Sequence, residues 1–237
     1  MTAVGKRGGI AVPILPRLEH INPNEVLTYL GYSSGEIPAE IDQQIAACAR
    51  SVLETAVPRI TWRALPVEGV TVPAAGLTLE GQDMAALLRD CHEAVFLAAT
   101  LGPEVERLLR RAEVTDMAQA LILDACASTA IENVCDNLEA DLRALYQAKG
   151  LYLSDRFSPG YGDLPLHQQR DFCALLDTGR RIGVNLSASC IMVPRKSVTA
   201  IMGVSNTPKP MRFRGCYHCN LFRTCQLRKN GKHCGKP

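Results

Sequence analysis

The sequence predicts an α+β fold with a largely antiparallel sheet, followed by a small Cys-rich tail. Three observations predict it. Helix-like and strand-like segments do not alternate in strict βαβ order, which argues against a doubly wound parallel sheet. One segment, Asp116 to Gly150, has a long helical composition with no Gly or Pro between Met117 and Lys149. Four cysteines crowd behind Asn206-Thr-Pro-Lys-Pro210, a stretch that reads as a linker. The expected organisation is a body over residues 1–205 and a tail over 206–237.

The elements follow in order. Asn22-Pro23, a periodic apolar pattern and Gly31 read as a short capped helix. Pro38 opens a second helix to about Ala56, with Ile41, Ile45, Cys48, Val52 and Leu53 on one face, and Pro58 stops it. Ile60 to Pro66 alternates like a strand. Val70-Thr-Val and Leu77-Thr-Leu suggest two short strands around a Gly-containing turn, and 82–90 looks helical. Ala94 to Gly102 is an apolar run ending in Gly-Pro, expected as a buried strand, and Pro103 starts a helix through about Ala112. Gly150 is a C-cap for the long helix. Leu166 to Asp177 reads as a helix ended by Thr178-Gly179. Leu186 to Val193 and Ser197 to Val204 read as a strand pair around Pro194-Arg-Lys.

At 237 residues, with 47% hydrophobic and 21% charged residues, the chain can bury a sizeable core. It has no apolar run long enough to span a bilayer and no apolar signal core at its start, so a cytoplasmic location is expected and a membrane role is not. The net charge of +2 hides an asymmetry. No acid follows Asp177, and twelve of the 26 Lys and Arg residues lie from Thr178 onward. The basic end can steer an acidic partner, bind nucleic acid, or complement the acidic body of the same chain.

The segment richest in chemistry is Asp155-Arg-Phe-Ser-Pro-Gly-Tyr-Gly-Asp163. Pro159-Gly160 is a turn signal, because Pro presets φ at one turn position and Gly accepts φ > 0 at the next. Arg156 offers a planar fork that matches a carboxylate bidentately. Tyr161 offers a ring, and Gly160 and Gly162 would let a ligand approach the backbone. The set suits an amino-acid-like ligand with a flat or cationic appendage; turn chemistry alone favours a surface turn with an incidental Arg.

The tail spacing is Cys216-x2-Cys219-x5-Cys225-x8-Cys234. A Cys-x2-Cys pair with two further thiolates can complete a four-coordinate metal or iron–sulfur site, with Arg214, Arg223, Arg228 and Lys232 offsetting the thiolate charge; the alternative is a reduced-thiol tail or a redox pair. His218 and His233 are alternative ligands, and the spacing leaves zinc and iron–sulfur both open. The other cysteines (Cys48, Cys91, Cys126, Cys135, Cys173 and Cys190) are not expected as disulfides. Those at apolar helical positions read as small buried hydrophobes.

The Arg-x-x-Pro-Gly-Tyr run resembles the S-adenosylmethionine motif of the activation (reactivation) domain of cobalamin-dependent methionine synthase. The whole chain looks like a free-standing version of that domain. Glu25-Val-Leu-Thr-Tyr-Leu-Gly-Tyr32, Arg156 to Leu166, Ile182-Gly-Val-Asn-Leu-Ser187 and Ile191 to Gly203 carry the resemblance. It implies reductive reactivation of an oxidised cobalamin methyltransferase, methionine synthase or another corrinoid protein, with flavodoxin or ferredoxin as electron donor. It implies that Arg156 holds the carboxylate of S-adenosylmethionine, that Tyr161 contacts the ligand, and that Ser158, Pro159, Gly160 and Gly162 supply backbone and shape. Cobalamin sits on the partner, so no general acid, base or nucleophile is expected among the side chains. The implied reductive chemistry favours iron–sulfur over zinc in the tail. The sequence departs from the family where a second Tyr contacts the ligand: it reads Ser189-Cys-Ile-Met192, leaving that contact absent or replaced by Cys190 or Met192. Two other readings stay in view. One is a metal-bearing nucleic-acid-binding module, from the basic tail with Phe213, Tyr217 and Phe222. The other is a docking adaptor for a corrinoid protein that does not bind S-adenosylmethionine.

Overall fold

The computed structural model describes residues 14–32 and 37–208, and Lys229 alone beyond them. Helix α1 (Pro23–Tyr29) starts where the Asn22 side chain accepts from the amide of Asn24, as the Asn-Pro signal requires. Then come α2 (Ala39–Thr55), β1 (Arg59–Pro66), β2 (Thr71–Val72), β3 (Leu77–Thr78), α3 (Gln82–Leu87) and β4 (Glu93–Thr100). Helices α4 (Pro103–Thr115) and α5 (Met117–Gln147) follow with only Asp116 between them. Asp116 caps α5 by accepting from Ala118 and Gln119. The chain continues through β5 (Tyr152–Leu153), α6 (Gln169–Leu176), α7 (Thr178–Ile182), β6 (Asn185–Leu186), β7 (Met192–Val193) and β8 (Ser197–Ser205).

The main sheet has the order β1-β4-β8-β5, every pair antiparallel. Its two central strands are buried on both faces, which is why β4 reads as an apolar run from Ala94 to Ala99 and β8 as one from Ala200 to Val204 rather than as alternating strands. Val95, Leu97 and Ala99 of β4 join Ala200, Met202 and Val204 of β8 in one core with α1, α2, α4 and α5. The opposite parity, Ala94, Phe96, Ala98 and Ile201, faces a second core with α3, α6 and the β2–β3 hairpin. There the Phe96 and Phe172 rings meet edge-on at 5.1 Å, a contact worth about 0.5–1.5 kcal/mol beyond its buried area. Among the described residues no helix is long and apolar enough to cross a membrane.

Two expectations are corrected. The helical segment from Leu166 ends at Asp177 as expected, but it is not Thr178-Gly179 that stops it. Asp177 takes a left-handed conformation (φ 50°), and a separate helix, α7, then carries Thr178 and Gly179 before stopping at Gly183 (φ 74°). Nor do 186–193 and 197–204 pair around Pro194. Cys190 (φ 63°) bends the first segment into a two-stranded hairpin, β6–β7, of its own, while β8 pairs with β4 and β5. The physical reason is burial: β8 has two apolar faces to cover, which a short exposed hairpin cannot do.

The basic C-terminal quarter is in part complementary to the acidic body. Arg195 pairs with Glu106 and Glu113, and Lys196 pairs with Asp124 at 2.8 Å. The six cysteines among the described residues are free thiols, five buried and Cys91 half-buried. Burial first, then the charge of Cys48, pushes Cys126 up to about 12, and burial first pushes Cys135 up to about 12.

Candidate functional site

Arg156 sits on an interrupted sheet edge. β5 pairs with β8 through Tyr152 and Leu153, and Phe157 exchanges backbone hydrogen bonds with Ile201 at 3.0 and 2.8 Å. Between those points the Ser154 hydroxyl accepts from the Gly203 amide at 2.8 Å. Phe157 drops into the second core, so its neighbour Arg156 turns the other way, onto α5.

There Arg156 meets a row of acids one helical turn apart. Its Nε donates to Glu139 Oε2 at 2.7 Å; Nη2 donates to Asp136 Oδ1 at 2.6 Å and to Glu132 Oε2 at 3.4 Å. The 132, 136, 139 spacing puts all three on one helix face. The acids are unequal. Glu139 is buried, and its Oε1 accepts from Arg143 Nε and Nη2 at 2.9 and 2.7 Å. The side chains of Glu132 and Asp136 are 43% and 35% exposed. Arg143 also donates to the carbonyls of Leu153 and Ser154, tying α5 to the strand edge. Burial opposes the charge on Arg156, but Cys135 and the three carboxylates around it outweigh burial and raise its proton affinity above the usual. Asp155, also buried, has Arg143 Nη2 3.8 Å from its Oδ1 and accepts no hydrogen bond among the described residues.

The turn after Phe157 has the predicted chemistry. The Tyr161 amide donates to the Ser158 carbonyl at 3.1 Å across Pro159 and Gly160, and Gly160 has φ 91°. Ser158 is half-buried, Pro159 buried, and Tyr161 68% exposed. The glycines also have internal duties. A Cβ on Gly160 would stand 3.3 Å from Leu166 Cδ1. One on Gly162 (φ 51°) would collide with Asp83 Oδ2 and lie 2.9 Å from Phe157 Cζ. Gly162 is therefore demanded by packing within the chain.

The structure brings Arg156 and the Pro159–Gly162 turn together at one sheet edge. Sequence reasoning missed Glu132, Asp136 and Glu139, although their helical spacing was a signal that could have found them. Cys190 faces inward: its Sγ accepts from Arg170 Nε at 3.2 Å. Met192 is half-buried against the second core, and Ile191 is 55% exposed. Cys216, Cys219, Cys225 and Cys234 lie outside the described residues. Among the described ones no group of three metal-ligating side chains gathers.

Fold and site together define an α+β domain whose long acidic helix receives an arginine from a Pro-Gly-Tyr turn. The chain belongs to the family of vitamin B12 dependent methionine synthase activation domains, whose family model matches residues 94–214. That span holds β4, α5, the Arg156 turn and β8. Among solved structures it is similar to the MetH reactivation domain bound to AdoHcy, with a TM-score of 0.59 and 16% identity. The match covers 90% of this chain and 82% of that one. No curated protein matches the sequence.

Proposed function

We propose that this protein reactivates an oxidised corrinoid methyltransferase, holding S-adenosylmethionine at Arg156 and the Ser158–Gly162 turn so that its methyl group meets the cobalt of the partner's cobalamin. The observation that carries the reading is the state of Arg156. Its Nε edge is anchored by buried Glu139, while its Nη2 contacts are half-exposed acids, and the turn that follows it in the chain carries an exposed Tyr161. A ligand carboxylate taking the Nη2 edge displaces Asp136 and Glu132, which then face the ammonium of the same amino-acid head. The exchange leaves no charge unpaired, which is what makes it affordable at a partly buried site. Family membership supports this reading, as does the AdoHcy bound to a domain of the same fold.

The corrinoid and the sulfonium supply the chemistry, one electron being needed from a donor before the methyl group moves. The residues here bind and orient, and proximity is their contribution. Residues 1–205 act as the ligand-binding body. Residues 206–237 would be a tail in which Cys216, Cys219, Cys225 and Cys234 would hold an iron–sulfur cluster or zinc; a cluster would supply electron transfer from flavodoxin or ferredoxin, zinc would not. A second reading, a docking adaptor without ligand, is favoured by one fact: the Arg156 donors Nε and Nη2 are already engaged.

One assay separates them. With a Co(II) corrinoid methyltransferase, a reductant and S-adenosylmethionine, the protein should yield the methylated corrinoid, and none when S-adenosylmethionine is omitted. Docking on the corrinoid module with no ligand binding by calorimetry would favour the adaptor. For the tail, anaerobic protein should carry stoichiometric iron or zinc that vanishes in a Cys216→Ser, Cys219→Ser variant with the body still folded. Metal-free protein would remove the tail from the reading.

A further inference from the structure

The Arg156 turn is held from a side that faces away from α5. Asp163 reaches across to the start of α3, where its Oδ2 accepts from the Gln82 amide at 2.6 Å and its Oδ1 from the Asp83 amide at 3.1 Å. Asp83 returns the contact: its Oδ2 accepts from the Asp163 amide at 3.2 Å. Two carboxylates, eighty residues apart in sequence, thus cap each other's backbone. The close approach demands two glycines in left-handed conformations. A Cβ on Gly81 (φ 98°) would run into Asp163, and one on Gly162 (φ 51°) into Asp83. Carboxylate acceptors on backbone amides are charge-assisted and short, the kind of bond that fixes geometry.

The rest of the turn is fastened from below. Leu164 and Phe157 are buried in the second core beside Met84 and Leu87 of α3. The Gly160 amide donates to the Leu164 carbonyl at 2.9 Å, and the Leu164 amide to the Tyr161 carbonyl at 3.1 Å. Tyr161 stands exposed on this platform, between the Arg156 side and the Asp163 side of the turn.

We propose that Asp83 and Asp163 are positioning residues for the ligand turn: the reciprocal cap holds Tyr161 and the turn amides at a fixed offset from Arg156 and couples α3 to ligand binding. This rests on the reading of the turn as the S-adenosylmethionine site. Neither carboxylate touches the ligand; each acts through the backbone it caps. A preorganised turn spares the ligand the entropy of ordering it, so loosening the cap lowers affinity without removing a contact.

The test uses the whole chain and two readouts. Amide hydrogen exchange of the free protein should show Asp163→Ala losing about tenfold or more of its protection at Gln82, Asp83, Tyr161 and Leu164, as expected for lost net hydrogen bonds. Calorimetric affinity for S-adenosylmethionine should fall about five- to tenfold in Asp163→Ala and in Asp83→Ala. Asp163→Asn keeps one acceptor oxygen and should recover part of both losses. Tyr146→Phe, which deletes the 2.6 Å bond to Glu93 far from the turn, controls for general destabilisation and should leave affinity unchanged. Wild-type exchange at the turn in Asp163→Ala overturns the latch. Loosened exchange with unaltered affinity overturns its positioning role. Absence of binding by wild type refutes the ligand reading instead, and the exchange arm still decides whether the latch exists.

Discussion

Two arginines of this chain do nearly the same thing, and the difference between them separates the proposed site from a strut. Arg195 and Arg156 each leave a loop and grip acids on a neighbouring helix. Arg195 takes Glu106 at 2.9 Å and Glu113 at 2.9 Å on α4; Arg156 takes Glu139, Asp136 and Glu132 on α5. The Arg195 tie is doubled by its own backbone amide, which donates to Glu106 Oε2 at 3.0 Å, so the acid caps the loop as well as pairing with it. Arg156 is bound through its side chain alone, is 13% exposed against 46%, and lies beside a glycine turn that carries an exposed Tyr. A contact made to backbone and side chain together is hard to exchange. One made to half-exposed carboxylates can be traded for a ligand.

The largest expected effect separates the two arginines directly. Arg156→Ala should lower affinity for S-adenosylmethionine at least about tenfold, through loss of a charge-assisted contact worth roughly 1.5–3 kcal/mol. It should also destabilise the fold, because buried Glu139 loses the Arg156 Nε that pairs with it at 2.7 Å. Calorimetry and thermal melts read both. Equal ligand binding by wild type and variant would make Arg156 a strut like Arg195.

Next in size is Asp136→Asn. If Asp136 passes from Arg156 to the ligand's ammonium, removing its charge should weaken S-adenosylmethionine by about 1 kcal/mol, or roughly fivefold. A ligand lacking the amino group should be insensitive to the change. If both ligands respond alike, Asp136 serves only to position the arginine.

Arg195→Ala is the mirror experiment. It should cost about 1–2 kcal/mol of stability by denaturant unfolding, from a half-exposed ion pair and the weakened loop cap. Affinity for S-adenosylmethionine should stay at the wild-type value. A tenfold loss of affinity would show that the β7–β8 connection belongs to the ligand site and would erase the distinction.

How much of this was legible in the sequence depends on the range of the interaction. Pro159-Gly160 gave the turn, because φ preferences are local. Asp116 and Asn22 gave helix starts for the same reason. The apolar run of β4 announced a doubly covered strand. The β6–β7 hairpin was not legible, because it depends on a non-Gly residue, Cys190, held at φ 63° by its surroundings. Arg156 was legible as a carboxylate binder, but not the acids it meets, since that pairing joins residues 17 to 24 positions apart across a strand and a helix. The Asp83–Asp163 cap spans a still greater separation, and no propensity encodes it.

The smallest effect concerns Glu106, and its sign can be worked out. Burial pushes the Glu106 carboxyl up, but the hydrogen bonds and charge of Arg195, with Arg110, outweigh burial and hold it below the usual carboxylate range. A carboxyl depressed in the folded state binds its proton more weakly there than in the unfolded chain. Its contribution to stability is therefore complete above the unfolded value of about 4.3 and is lost as pH falls through the lower folded value. Many carboxylates titrate in that window, so the informative quantity is the difference between wild type and Glu106→Gln. The wild type should melt higher at pH 6, and the gap should narrow as pH falls below the unfolded value of about 4.3, where the unfolded chain takes up this proton before the folded one does. Ligand affinity at pH 6 should not distinguish the two proteins, because this pair is a strut. A gap that stayed constant down to pH 3 would mean that the Glu106–Arg195 charge interaction adds nothing to the backbone cap, and that what separates the two arginines is packing rather than charge.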